Sequence, residues 1–194
     1  MSTTPTQSSN PVYVSLEFTP NPNTLKYSVN RTLVPKSAVN VVRKEDALKK
    51  SPLAVKLLDV PGICGVMIGR DFVTVTKTEE GDWDVVHRSA STIVEQHLTQ
   101  NEPVLTVEAM EATASPAGTN EIEKKIMEVL DQEIRPAVAM DGGDIVFDRY
   151  EAGVVYLQMQ GSCAGCPSST ATLKMGVETR LKEVIPDVIE VVSV

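Results

Sequence analysis

The segment Gly161-Ser-Cys-Ala-Gly-Cys-Pro167 constrains this chain more than any other, because only residues 167–194 follow its second cysteine. A strand-like run precedes it. A helical stripe follows it, with Leu173, Val177, Leu181 and Val184 spaced 4, 4 and 3. Gly161 lets the chain turn, and Pro167 suits the first helical position, so Cys166 falls near the N-cap. Both sulfurs then sit where unpaired backbone N–H groups and the helix dipole favour negative charge. Such a setting favours the thiolate, which is the metal-binding and nucleophilic form. Gly165, between the cysteines, leaves the turn open for a bulky guest. A thioredoxin-like domain also puts a CxxC at a helix start after a strand. Here the remaining residues supply one helix and one strand near residues 188–192, too little for the rest of that sheet.

The chain holds three cysteines, Cys64, Cys163 and Cys166. So low and odd a count argues against a disulfide framework. Two thiolates are half of what a site needs, since cluster irons and structural zinc take about four protein ligands. There is no second cysteine pair, and His87 and His97 do not show the spacing of a histidine ligand pair. A two-fold dimer in which each protomer contributes its CxxC reaches four without new residues. A cluster shared in that way would be labile, which suits transfer. On the residues alone three readings stand: a cluster site, a thiol–disulfide oxidoreductase, and a zinc-stapled interaction domain.

The rest of the chain reads as α+β. Aromatic residues are only 4% of it, so the core must come from Val, Ile, Leu and Ala. After a polar tail over residues 1–10, expected to be disordered, strands are expected over residues 12–18 and 25–29. The second of these alternates as a half-buried strand does. The turn-forming string Thr19-Pro-Asn-Pro-Asn-Thr24 separates them. A further strand is expected near residues 39–42. Ser51-Pro52 opens a helix, with Ser as N-cap and Pro at the first helical position. Strands follow over residues 63–68 and 72–76, then a helix over residues 84–98. Residues 99–119 lose periodicity and read as a linker that would span roughly 25 Å and let the two halves swing. From residue 120 the order is α-β-β-α-β. Asn120 with Glu123 resembles a capping box. A helix is expected to end near Pro136, Asp141-Gly-Gly-Asp144 to turn, and a hairpin to form around Gly153. The expected layout is a tail at 1–10, a mixed α/β recognition domain at 11–98, the linker, and at 120–194 a three-stranded sheet with two helices.

The net charge of −8 is uneven. Residues 1–110 hold 11 Lys+Arg and 12 Asp+Glu, whereas residues 111–194 hold 7 and 14. An acidic surface repels phosphate backbones, so nucleic acid is not an expected partner. No apolar run approaches the ~20 residues that span a bilayer, so no membrane association is expected. The N-terminus lacks the features of a secretory signal or an Arg-rich transit peptide. A cytoplasmic protein, bacterial or already processed, is the expectation.

Asp141-Gly-Gly-Asp-Ile145 followed by Gly161-Ser-Cys-Ala-Gly-Cys-Pro-Ser-Ser-Thr170 resembles the C-terminal domain of the NifU/Nfu family of iron–sulfur scaffolds and carriers. Thr19-Pro-Asn-Pro-Asn-Thr-Leu-Lys26, Ser51-Pro-Leu-Ala54 and Gly69-Arg-Asp-Phe-Val-Thr-Val-Thr-Lys77 resemble the N-terminal domain of Nfu proteins. The resemblance implies a [4Fe-4S] cluster, or in some members [2Fe-2S], bridged between two protomers by Cys163 and Cys166 of each. It also implies a homodimer when loaded, delivery to apo iron–sulfur client proteins, exchange with upstream assembly proteins, and no catalysis. The N-terminal domain of that family is expected to recognise partners without holding the cluster.

Other residues have plainer expectations. Cys64 lies in an apolar strand and reads as a small buried hydrophobe. Asp141, Asp144, Asn21 and Asn23 read as turn residues. His87 and His97 read as surface histidines, and Trp83 as edge packing. Met140, Met159 and Met175 read as gap-fillers or as cover for the cluster's flank.

Overall fold

The computed structural model describes residues 11–35, 37–112, 120–164 and 167–194, the side chains of 167–170 excepted. The expected disordered tail, the end of the expected linker, Gly165 and Cys166 lie outside the described residues. The fold is α+β, as the residue patterns suggest, with two sheets and two buried cores.

The first sheet has five antiparallel strands, β1 (Val14–Phe18), β2 (Thr24–Val29), β3 (Val39–Val41), β4 (Ile63–Ile68) and β5 (Phe72–Lys77). Their order is β1-β2-β5-β4-β3. A short helix α1 (Lys44–Lys50) runs into α2 (Pro52–Leu58), and α3 (Trp83–Thr99) follows β5. Ser51 caps α2, its hydroxyl accepting the Ala54 N–H at 3.0 Å, as the Ser-Pro pair foretells. Leu53, Leu57, Val86, Ala90 and Val94 from these helices are buried against Tyr27, Val66, Ile68, Val73 and Val75 of the sheet.

The expected linker is packed over its first part. Helix α4 (Val107–Ala112) lies there, and Leu105 and Ala109 are buried in the first core. Ser51 Oγ donates to the Val104 carbonyl at 2.6 Å, and Thr106 N donates to Lys50 O at 2.9 Å. Buried apolar side chains and these hydrogen bonds anchor a stretch whose pattern shows no period.

The second sheet is three-stranded. Strand β6 (Gly143–Glu151) pairs antiparallel with β7 (Val154–Gly161), and β8 (Glu190–Ser193) pairs parallel with β7. Parallel pairing requires a crossover, which α7 (Pro167–Val184) supplies. Asn120 caps α5 (Glu121–Val129), accepting the Glu123 N–H at 2.8 Å. The helix does not stop near Pro136. A π turn, Leu130–Ile134, leads into α6 (Arg135–Met140). The wider turn resets the ladder so that Pro136 falls in the first turn of α6, where no N–H is needed. Ile126, Leu130 and Val138 pack with Ile145, Val155, Leu157, Val177 and Leu181. Val184 is half-exposed, and Ile185 takes the last core place.

The two halves are in contact. One face of the five-stranded sheet carries its helices. Residues of the other face are covered by the C-terminal half: Thr24 and Thr74 are 1% exposed, as is Met67. Met67 and Phe72 are buried yet belong to neither apolar core. Lys26 is buried with its ammonium 2.9 Å from Glu17, 5.0 Å from the Phe72 ring centre and donating to Met140 O at 3.2 Å. Gly142, at φ +77°, meets this face so closely that an added Cβ would lie 2.9 Å from Thr74 Cγ2.

Candidate functional site

The Cys163 loop is built by β7 and the turn between α6 and β6. Gly161 ends β7 at φ +62°, a left-handed conformation that side chains resist. A Cβ there would also meet Gly142 O at 2.7 Å and Met67 Cε at 2.7 Å. The Asp141–Gly142 turn then holds the loop by its backbone. Ser162 N donates to Gly142 O at 3.1 Å, and Ser162 Oγ donates to Asp141 O at 2.5 Å. Ala164 N donates to Gly161 O at 3.1 Å. Helix α7 begins at Pro167, the position its fixed φ suits.

Cys163 is 4% exposed and sits in the second core, its sulfur so close to Gly143 that no Cβ could stand there. A cavity of about 370 Å³ opens beside it, lined by Pro20, Asp141, Ser162, Cys163 and Leu173 among others. Among the described residues no three His, Cys, Asp or Glu side chains come together as a metal site.

Asp144 is more than a turn residue. At 5% exposure it accepts from Arg135 Nε at 2.8 Å, Arg135 Nη2 at 2.7 Å and its neighbour Ile145 N at 2.8 Å. Its other oxygen contact is Ala38 N of the first half, at 3.3 Å. The hydrogen bonds that Arg135 donates to Asp144 hold its guanidinium above its ordinary pKa, against the opposing effect of burial. This pair fixes the start of β6, and so Gly143, behind the sulfur.

Several expected placements are corrected. Cys64 is exposed rather than buried, because β4 bulges there: Ile63 pairs with Lys77 and Gly65 with Thr76, leaving Cys64 as the extra residue. His97 is buried at 1% exposure, its Nε2 at 3.1 Å from the Pro103 carbonyl and Nδ1 at 3.4 Å from Glu102 Oε2. Since a carbonyl can only accept, Nε2 carries the proton; Nδ1 has no hydrogen bond. Burial pushes the His97 pKa down. His87 stacks on Tyr27 with ring centres 5.9 Å apart. Trp83 donates its indole N–H to Pro22 O at 3.0 Å. Met159 is buried as expected, but Met140 and Met175 are 77% and 71% exposed, so neither fills a gap.

The residue that pattern reading missed is Asn21. It is a turn residue, yet its side-chain amide also crosses to the carbonyls of Ser162 and Ala164, at 3.1 and 3.4 Å. Its only sequence signal is its place in Thr19-Pro-Asn-Pro-Asn-Thr24.

Two family models match the chain. One, described as NifU-like domain, matches residues 126–192. The other, described as scaffold protein Nfu/NifU N terminal, matches residues 14–101. A human protein named NFU1 iron-sulfur cluster scaffold homolog, mitochondrial, is 35% identical over 178 residues, 91% of this chain and 70% of its own length. The protein of the same name from Drosophila erecta is 39% identical over 178 residues, again 91% of this chain. This chain spans 63% of that protein's length. The solution structure of a NifU-like protein from Saccharomyces cerevisiae is 24% identical, covering 55% of this chain and 95% of its own, with a TM-score of 0.45. The names of the human and fly relatives correct the expectation of a cytoplasmic chain, since they point to mitochondria instead. That expectation rested on features missing from the N-terminal residues, and an absence of that kind does not report a compartment.

Proposed function

The chain belongs to the Nfu/NifU family of scaffold proteins, and we propose that it binds an iron–sulfur cluster through Cys163 and Cys166 and passes it to apo-proteins. The observation that carries this reading is the setting of Cys163, on a short loop between β7 and α7 with a cavity beside it. The donor chemistry fits the cargo, since thiolate sulfur is the usual protein ligand of cluster iron. The cluster is [4Fe-4S], with [2Fe-2S] as the alternative, and it is shared by the cysteine pairs of two protomers.

As a carrier the protein turns over no substrate. Its part in the exchange is to give up ligands. An acceptor thiol loses its proton and bonds to iron; the Fe–S bond to Cys163 breaks; the released thiolate takes up a proton. Iron changes no oxidation state in that step. A site completed only by a second protomer breaks in halves, so each ligand exchange leaves the cluster less tightly held by its donor. Its partners are apo iron–sulfur client proteins downstream and assembly proteins upstream.

The test is transfer. Protein reconstituted anaerobically with iron and sulfide is mixed with an apo-acceptor of the aconitase type. The expected result is loss of the broad absorption near about 400 nm from the carrier with matching gain of acceptor activity. Stoichiometric zinc uptake with no iron uptake, or a cluster that stays put, would overturn the proposal.

A further inference from the structure

We propose that Asn21 is a positioning residue for the cluster loop: its side-chain amide holds the carbonyls of Ser162 and Ala164, the residues before and after Cys163, and keeps the thiol turned inward. The inference rests on the cluster reading for its purpose, although its primary test does not.

The geometry is specific. Asn21 belongs to the β1–β2 turn of the first half and is 6% exposed. Its Nδ2 donates to Ser162 O at 3.1 Å and to Ala164 O at 3.4 Å, the two carbonyls flanking Cys163. Its Oδ1 accepts the Asn23 N–H at 3.0 Å, and its own N–H donates to Thr19 Oγ1 at 3.2 Å. Thr19 Oγ1 in turn donates to Thr24 O at 2.8 Å. Both ends of the amide are committed, so it cannot rotate away without breaking the turn that presents it. Pro20, next to it, lines the cavity beside Cys163.

Held in this way, the loop has its thiol packed against Gly143 in the second core. A thiolate that shares a cluster with a second copy of the chain has to face outward. Bringing the Cys163 sulfur out by moving the backbone of residues 162–164 would break the hydrogen bonds by which Asn21 holds the Ser162 and Ala164 oxygens. The inward thiol with the amide engaged and the outward thiol with the amide released are therefore alternatives. The first half would then do more than recognise partners. It would set how readily the cysteine loop opens.

The test is Asn21→Asp in the full apo chain. Aspartate keeps the size and the acceptor for Asn23 N–H but loses both donors and sets an anionic oxygen against two carbonyls. The readout is the alkylation rate of Cys163 by iodoacetamide, resolved by peptide mass spectrometry. Exposed Cys64 serves as the internal standard. The Cys163-to-Cys64 ratio should rise about tenfold, as expected when a local opening loses one or two buried hydrogen bonds. Asn23→Ala, in the same turn but with no described side-chain hydrogen bond to the loop, should leave the ratio unchanged. Trp83 emission reports whether the turn is intact, because its indole bonds Pro22 O. Should it shift, Asn21→Ser, which retains a short acceptor, carries the same expectation. An unchanged ratio with the turn intact overturns the proposal, as does an equal rise in Asn23→Ala. Iron uptake is scored separately. A raised ratio in a protein that never takes up iron sinks the cluster reading and leaves the loop's positioning standing. Normal iron uptake with an unmoved ratio does the reverse.

Discussion

Asp144→Ala tests how the base of the site is held. The carboxylate is buried and receives Arg135 through two hydrogen bonds, of 2.8 and 2.7 Å, with Ile145 N–H as a third donor. Breaking a buried ion pair from one side strands the partner's charge, which costs roughly 3–5 kcal/mol. Arg135 keeps Asp131 at 2.8 Å and its side chain is 19% exposed, so the lower end applies, about 3 kcal/mol. With a urea dependence of about 1–3 kcal/mol per molar, the midpoint of the C-terminal half should fall by about 1–3 M. Circular dichroism would follow this transition, while the single tryptophan, Trp83, reports on the first half. Adding Arg135→Met should recover most of the loss, because removing both members leaves no buried charge without its partner. A single variant within about 0.5 kcal/mol of wild type, or a double variant less stable than the single, would refute the reasoning.

Three further outcomes follow from particular residues. Leu157, fully buried at the centre of β7, should cost about 3 kcal/mol when changed to Ala, read by urea denaturation. Gly143→Ala places a methyl group where the Cys163 sulfur lies; strain of about 1–3 kcal/mol should displace the thiol, and alkylation of Cys163 relative to Cys64 should rise. Burial holds the pKa of His97 below its ordinary value of 6.5. The unfolded chain therefore binds a proton near that pH which the native state refuses. Stability should be complete above 6.5 and fall as pH drops from there to the native pKa, a slope that His97→Gln removes; thermal unfolding across pH checks it.

Local signals in the sequence proved reliable where one residue type has one backbone use. Ser51 with Pro52, Asn120 with Glu123, and Gly153 at the hairpin each mark a cap or turn that stands in the structure. Strand β2 shows where such signals stop. Its alternation reads as half-buried, yet Lys26 is 8% exposed because the C-terminal half lies on that face. A lysine with an apolar stem and a carbonyl to bond can sit inside such a contact, and no pattern within one strand reveals the neighbour that covers it. Met67 and Asn21 were opaque for the same reason: their partners are the cysteine loop, about 94 and 141 residues further along the chain. Cys64 misled because a bulge shifts the alternation by one residue. Residues 104–109 read as linker because two anchoring side chains make no period. The motif containing Cys163 was legible from its turn and helix signals; the inward position of its thiol was not, since Gly143 and Asn21 create it.

The most direct measurement is the mass and iron content of the reconstituted protein under native conditions. Two chains carrying one cluster, about four irons and matching sulfide, are expected from the wild type. Cys163→Ser and Cys166→Ser should each give a chain that takes up no cluster. A fully loaded single chain, or full iron in either variant, would contradict the account.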